Sequence, residues 1–324
     1  MNQQVNIETA AASGAGEVYT PGSVAEIFRA QQGAYSANPY PEIAERKANL
    51  MKLRQLLIDN DEAIVEAIDK DFGGRSDHEI KLFDISTSIG ELGDAAKRLK
   101  KWSKVQKRHA HWTVMLTGGR NSVIPQPKGV VGIVTPWNYP LFLAMGPLAA
   151  ALAAGNRCMV KLAANSQNLC RLMNRLVSDV LPQDLVAFIP GVSASEFTAQ
   201  PYNHLIFTGS AAVGKTVMKN AAEHLTPVTL ELGGKSPSII AEDARLEAAV
   251  EKVLMAKCYN AGQTCVAPDY LFVPESKLQQ VVEIAQSLAP KWYPAGVDSE
   301  DLTSIVDQRA FDRLAMNLRD AETK

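Results

Sequence analysis

The chain has 324 residues, more than a single hydrophobic core usually serves, and 46% of them are hydrophobic and 21% charged. Its formal net charge of −2 supplies no general attraction to nucleic acid or an anionic membrane, so small soluble ligands are the expected partners. Cys158, Cys170, Cys258 and Cys265 show no CxxC spacing and read as reduced thiols of a cytoplasmic protein, not as a disulfide framework.

Residues 1–23 mix Gln, Asn, Ala, Gly and Ser with little apolar content and are expected to form a disordered tail. No Lys or Arg precedes Arg29, unlike the basic start of a secretory signal or a transit peptide. From Val24 to about residue 112 the pattern is helical. Leu50, Leu53 and Leu57 recur at i, i+3 and i+7, with Arg46, Lys47 and Arg54 off that face. Ile64, Val65 and Ile68 follow Asp61 in a second helix that ends near Gly73 and Gly74, where glycine permits a left-handed cap. A third runs from Leu82 to Trp102. Residues 97–112 carry seven Lys or Arg, two tryptophans and two of the five histidines, the texture of a nucleic-acid patch. Without basicity elsewhere they read as a solvated helix end. His78, His204 and His224 have no metal-type partner spacing, so no metal site is expected.

Gly118 and Gly119 separate WTVMLT from NSVIP, which predicts a hairpin over 113–127. From 128 to 229 short apolar strands (129–135, 157–163, 185–191, 204–210) alternate with helices (141–154, 167–181, 212–225). Repeated βα units predict an α/β fold with a doubly wound, Rossmann-like parallel sheet, an architecture that commonly binds nucleotides at the carboxyl ends of its strands. The most apolar stretch, 139–154, is interrupted by Pro147 and falls short of the roughly 20 residues of a membrane span. A second α/β domain is expected over 230–324.

Gly209, Ser210 and Gly214 follow a strand and open a helix, where backbone N–H groups and the helix dipole can face a phosphate. The string Gly209-x4-Gly214-Lys215-Thr216 also satisfies the P-loop pattern. No strand ending in an acidic metal ligand accompanies it, which weakens a nucleotide-hydrolase reading. Cys265 stands in NAGQTCVAPD, a polar segment between an apolar helix (248–258) and an apolar strand (270–273). By itself it reads as a structural cysteine more readily than as a reactive one. Glu231 lies inside VTLELGG, and a carboxylate buried in an apolar strand costs several kcal/mol unless paired or protonated. That makes it a candidate base with a raised pKa, with a satisfied structural glutamate as the alternative. The separation of 34 positions from Glu231 to Cys265 can be closed only by tertiary folding.

Together, PWNYP (136–140), FTGS (207–210), LELGGKSP (230–237) and NAGQTCVAPDY (260–270) resemble the signature motifs of the aldehyde dehydrogenase superfamily, in the family's order. The resemblance covers about Val24 to the last residue and is nearest to the class-3-like branch, which includes coniferyl aldehyde dehydrogenases. It implies that Cys265 is the nucleophile attacking an aldehyde. Asn138 and the Cys265 backbone N–H would hold the oxyanion, and Glu231 would activate the water that releases the acid. For NAD or NADP it implies Gly209, Ser210 and Gly214 near the pyrophosphate, Lys161 near the adenosine ribose, and the backbone around Trp137 and Leu232 along the dinucleotide. It also implies a homodimer for the full-length family.

Two departures qualify these expectations. After Lys161 the family commonly has Pro-Ser-Glu, whereas this chain has Leu162-Ala163-Ala164-Asn165. Losing that carboxylate removes both an acceptor for a ribose 2′-hydroxyl and a repulsion toward a 2′-phosphate, so NADP becomes as suitable as NAD. Family members also continue well past position 324. On that pattern the catalytic domain here is a truncated one with unpaired strand edges, expected to be poorly stable and to show little or no dehydrogenase activity in isolation; the alternative is an inactive remnant that binds dinucleotide or a partner subunit without turnover.

Overall fold

The computed structural model describes residues 22–323. Of the expected tail at 1–23, residues 1–21 lie outside the described residues, while 22 and 23 belong to the first helix, Gly22–Ala37. Helices Ile43–Asp59 and Asp61–Phe72 follow, and the second is closed by Gly73 at φ 72°, whose N–H donates to the Asp69 carbonyl. The third helical region is continuous but irregular. A turn at Asp77–Glu79 passes into a π-helical segment, Ile80–Ser86, and then into Thr87–Trp102. Such π segments cluster at functional sites.

The hairpin differs from expectation. WTVML forms a short exposed helix, Trp112–Leu116, not a strand. Strand β1 (Gln106–Arg108) pairs antiparallel with β2 (Asn121–Val123) instead. The Gly118 and Gly119 N–H groups close back onto Met115 and Val114 carbonyls, so these glycines terminate a helical turn.

The central element is a five-stranded, all-parallel sheet: β3 (Val130–Val134), β4 (Arg157–Lys161), β5 (Val186–Phe188), β6 (His204–Gly209) and β7 (Val228–Leu232), in the order β5-β4-β3-β6-β7. Successive strand side chains point to opposite faces, and the two cores follow that alternation. Val131, Ile133, Cys158, Val160, Val186 and Phe188 join Leu50, Leu53, Leu57, Leu92 and Leu99 on one face. Val130, Val134, Met159 and Ala187 join Val24, Phe28, Phe197 and Val217 on the other. Burial on both faces is why these strands read as continuous apolar runs. The chain steps from β3 outward to β5, then returns to β6 beside β3. The switch point therefore lies between the carboxyl ends of β3 and β6, where such folds bind ligands.

The doubly wound Rossmann-like sheet is thus present, with one change of limit. Leu230, Glu231 and Leu232 belong to β7 of this sheet, paired with Phe207, Thr208 and Gly209, and not to the domain expected to begin at 230. The second unit is built on two parallel strands, β8 (Ser236–Ile239) and β9 (Pro268–Phe272). Helices Leu246–Cys258 and Leu278–Trp292 cover them through Ile240, Leu246, Val250 and Val281. Helix Gln308–Glu322 closes the described chain, capped by Asp307.

Candidate functional site

After β3 the backbone turns through Pro136, Trp137 and Asn138 into helix Phe142–Ala153. This turn is anchored from below. The Asp84 carboxylate accepts the N–H groups of Leu141 and Phe142 at 3.0 and 3.1 Å. Its other oxygen lies 2.9 Å from Arg75 Nη2, with both side chains fully buried. The Arg75 guanidinium sits over the rings of Phe72 and Tyr139, 5.1 and 4.9 Å from their centroids. Burial pushes the Asp84 carboxyl above its ordinary range, opposed by Arg75 and the two N–H donors.

The turn in turn holds the segment carrying Cys265. Asn138 Nδ2 donates to the Gln263 carbonyl at 2.9 Å, and Asn260 Nδ2 donates to the Asn138 carbonyl at 3.0 Å. The Tyr139 hydroxyl and Thr264 Oγ1 are 2.7 Å apart. Gln263 braces the loop further, donating to the Asn260 and Ser304 carbonyls and accepting the Val306 N–H. Three consecutive residues, Asn260, Ala261 and Gly262, have φ of 51°, 51° and 74°, a left-handed run costly for the two non-glycines. Asn260 is fully buried, and its backbone N–H donates to Glu79 Oε2 at 2.8 Å. Cys265 emerges at the exposed end of this braced loop.

Glu231 is placed differently from expectation. β7 is the last strand of the sheet, and Glu231 is exposed on it, so it is not the carboxylate buried in an apolar strand that the sequence suggests. Among the described residues no hydrogen bond or ion pair joins Glu231 to Cys265. The segments that follow them do meet: Ser236 pairs with Pro268 in the β8–β9 ladder, and Lys235 Nζ lies 2.8 Å from Asp269. That exposed pair contributes at most about 1 kcal/mol, so the ladder is what closes the 34-residue gap.

The dinucleotide candidates share the carboxyl edge of the sheet. Lys161 ends β4, buried, with Nζ donating to the Leu162 carbonyl at 3.0 Å; burial lowers its pKa, opposed by Cys170. Ser210 caps helix Ala211–Ala222 by accepting the Val213 N–H. Residues 211–213, the first of that helix, are exposed, and the first N–H groups of a helix have no intrahelical acceptor, which is what a phosphate site requires. A Cβ at Gly214 would stand 3.2 Å from Leu232 Cδ2, so glycine lets this helix lie close on β7. These features fit a pyrophosphate. The P-loop string does not form a P-loop, because helix begins at Ala211 and no loop separates Gly209 from Gly214. Trp137 is half-buried against Phe72, and Leu232 is exposed. Among the described residues no group of three or more His, Cys, Asp or Glu is arranged to hold a metal.

The residues missed from sequence are Arg75, Glu79, Asp84, Tyr139 and Gln263. Asp84 stands within IKLFDIS, so the argument that a carboxylate in an apolar run needs a partner belonged to it and not to Glu231.

Residues 7–324 match the sequence pattern of the aldehyde dehydrogenase family. The chain belongs to this family. A probable coniferyl aldehyde dehydrogenase of Pseudomonas aeruginosa is 43% identical over 300 residues, 92% of this chain and 63% of the relative. Mouse aldehyde dehydrogenase family 3 member A2 is 34% identical over 297 residues, 91% of this chain and 60% of the relative. A Mycobacterium tuberculosis aldehyde dehydrogenase complexed with NAD+ superposes with a TM-score of 0.77 at 29% identity, covering 84% of this chain and 56% of that one. Both the coniferyl and the class-3 resemblance are therefore sustained. The chain spans about three fifths of the length of the curated relatives it matches.

Proposed function

We propose that the protein oxidises an aldehyde, aromatic or medium-chain and coniferyl-aldehyde-like, to its carboxylic acid with reduction of NAD or NADP. The observation that supports this most is the pair of contacts from Asn138 and Tyr139 to Gln263 and Thr264, which hold the Cys265 loop at the carboxyl end of β3. Cys265 attacks the aldehyde carbon as thiolate and forms a thiohemiacetal. Asn138 Nδ2 has two hydrogens and uses one on Gln263; the second, with the Cys265 backbone N–H, serves the oxyanion. The dinucleotide, held by Gly209, Ser210, Gly214 and Lys161 with the backbone at Trp137 and Leu232, supplies the hydride acceptor. Glu231 deprotonates the water that hydrolyses the Cys265 thioester. A homodimer in the cytoplasm completes the reading, in keeping with four free cysteines.

A second reading, binding of dinucleotide or of a partner subunit without turnover, is favoured by the exposure of both Cys265 and Glu231. Titration with NAD+ and NADP+, followed by turnover assays with benzaldehyde, coniferyl aldehyde and hexanal, separates the two. Acid production that is lost in Cys265→Ala supports the dehydrogenase. Saturable cofactor binding without acid supports the second reading, and turnover retained in Cys265→Ala refutes the assignment of the nucleophile.

A further inference from the structure

Glu79 lies 181 residues from Asn260 in sequence, on the turn that leads into the π-helical segment Ile80–Ser86. Its side chain is buried, and one oxygen, Oε2, receives two donors. These are the Asn260 N–H at 2.8 Å and the Thr303 hydroxyl at 2.8 Å. Thr303 is itself buried, and its Oγ1 receives the Ser76 N–H at 3.4 Å. The helix carrying the chain toward the site ends at Cys258, so the Asn260 N–H, in left-handed backbone, has no helical carbonyl to bond. Glu79 is the acceptor it uses.

What Asn260 does next makes this contact more than a local repair. Its side-chain amide donates to the carbonyls of Asn138 and Gln263, and the Asn138 amide donates to the same Gln263 carbonyl. Holding the Asn260 backbone therefore fixes the register of Asn138 against the peptide two residues before Cys265. We infer that Glu79 is a positioning residue for the Cys265 loop, acting through the backbone N–H of Asn260. It does not touch the reacting atoms. The inference rests on Cys265 being the nucleophile, and it extends that reading to a carboxylate contributed by the N-terminal helical region.

A negatively charged acceptor is costly to bury and binds an N–H about twice as strongly as a neutral one. Glu79→Gln keeps an oxygen for Asn260 and Thr303, whereas Glu79→Ala removes it. The test compares these variants by three measurements: the rate of Cys265 alkylation by iodoacetamide, the rate of its acylation by p-nitrophenyl acetate, and dinucleotide affinity. Displacing a reacting group by about an ångström costs up to roughly 100-fold, so E79A is expected to slow acylation about 10- to 100-fold with the cofactor Kd unchanged. E79Q is expected to recover most of the rate. Leu99→Ala, a core truncation in helix Thr87–Trp102 away from the loop, supplies a control that lowers Tm without slowing Cys265. Should E79A not fold, E79D keeps the charge but withdraws it by one methylene and is read in the same way.

Acylation at the wild-type rate in E79A, or a loss no larger than in a Leu99→Ala protein of equal Tm, overturns the inference while leaving the dehydrogenase reading standing. Failure of the wild type to acylate sinks the dehydrogenase reading. The iodoacetamide rates then still decide whether Glu79 positions the loop.

Discussion

Removing the Asp84 carboxylate should destabilise the protein severely, because three groups depend on it. In Asp84→Ala the Arg75 guanidinium is left buried without its counter-ion, and breaking a buried pair from one side costs about 3–5 kcal/mol. The Leu141 and Phe142 N–H groups, now at 3.0 and 3.1 Å from Asp84 Oδ1, also lose their acceptor, at about 1–3 kcal/mol for a buried donor. These losses share one site and do not add fully, so about 4–6 kcal/mol is expected, a large part of the roughly 5–15 kcal/mol that folded proteins have. Urea unfolding followed by tryptophan fluorescence is the assay, and Trp137, packed on Phe72, reports locally. The double variant Arg75→Met/Asp84→Leu removes both charges and should regain at least about 2 kcal/mol over Asp84→Ala. A loss below about 1 kcal/mol in Asp84→Ala, or a double variant no more stable than the single, would show that the buried Arg75–Asp84 pair does not anchor the turn.

Gly132 lies mid-strand in β3, where an added Cβ would stand 2.8 Å from Leu205 Cδ1 and 2.9 Å from the Tyr202 ring. Gly132→Ala should therefore cost about 1–3 kcal/mol by overpacking, and an unchanged Tm would contradict that packing. Brief iodoacetamide treatment with peptide mass mapping should label Cys265 first. Cys158 and Cys170 are buried, and burial raises both thiols, Cys170 to about 12. Early label on either would show the sheet to be more open than described. Asp71 receives the Asn168 and Leu169 N–H groups, yet burial outweighs them and raises its carboxyl. The folded state then holds this proton more tightly than the unfolded chain. Stability relative to Asp71→Asn should thus decline as pH rises from about the unfolded value near 4. A gap that widens with pH would mean that the two N–H bonds dominate.

The parallel sheet was legible because β3, β4 and β5 are buried on both faces and leave apolar runs in the sequence. The same cue misled at β7. VTLELGG is apolar in composition, but its strand is the last in the sheet and half-open, so Glu231 is exposed. WTVML misled in the other direction, since its apolar residues are largely exposed on a short helix closed by two glycines. Asn138 and Cys265 were legible only through the motifs they sit in. Nothing in local pattern foretells that Gln263 and Thr264 contact Asn138 and Tyr139 across 125 positions. Arg75, Glu79 and Asp84 escaped for a related reason. Arg75 and Glu79 lie among Asp77 and Lys81, where charge ordinarily faces water, while Asp84 within IKLFDIS carried a local signal but no hint of its partners; those come from the turn after β3 and the left-handed run at Asn260.

The proposed role of Asn138 and the braced loop in making Cys265 a nucleophile is open to a kinetic test. Its most direct measurement is the burst of p-nitrophenol on mixing with p-nitrophenyl acetate, with the acylated residue identified by mass spectrometry, in wild type and Asn138→Ala. Acyl label is expected on Cys265 in the wild type, with a rate lower by about 100- to 1000-fold in Asn138→Ala, the usual cost of one oxyanion donor. Label on Cys258, or equal rates in the two proteins, would contradict that role.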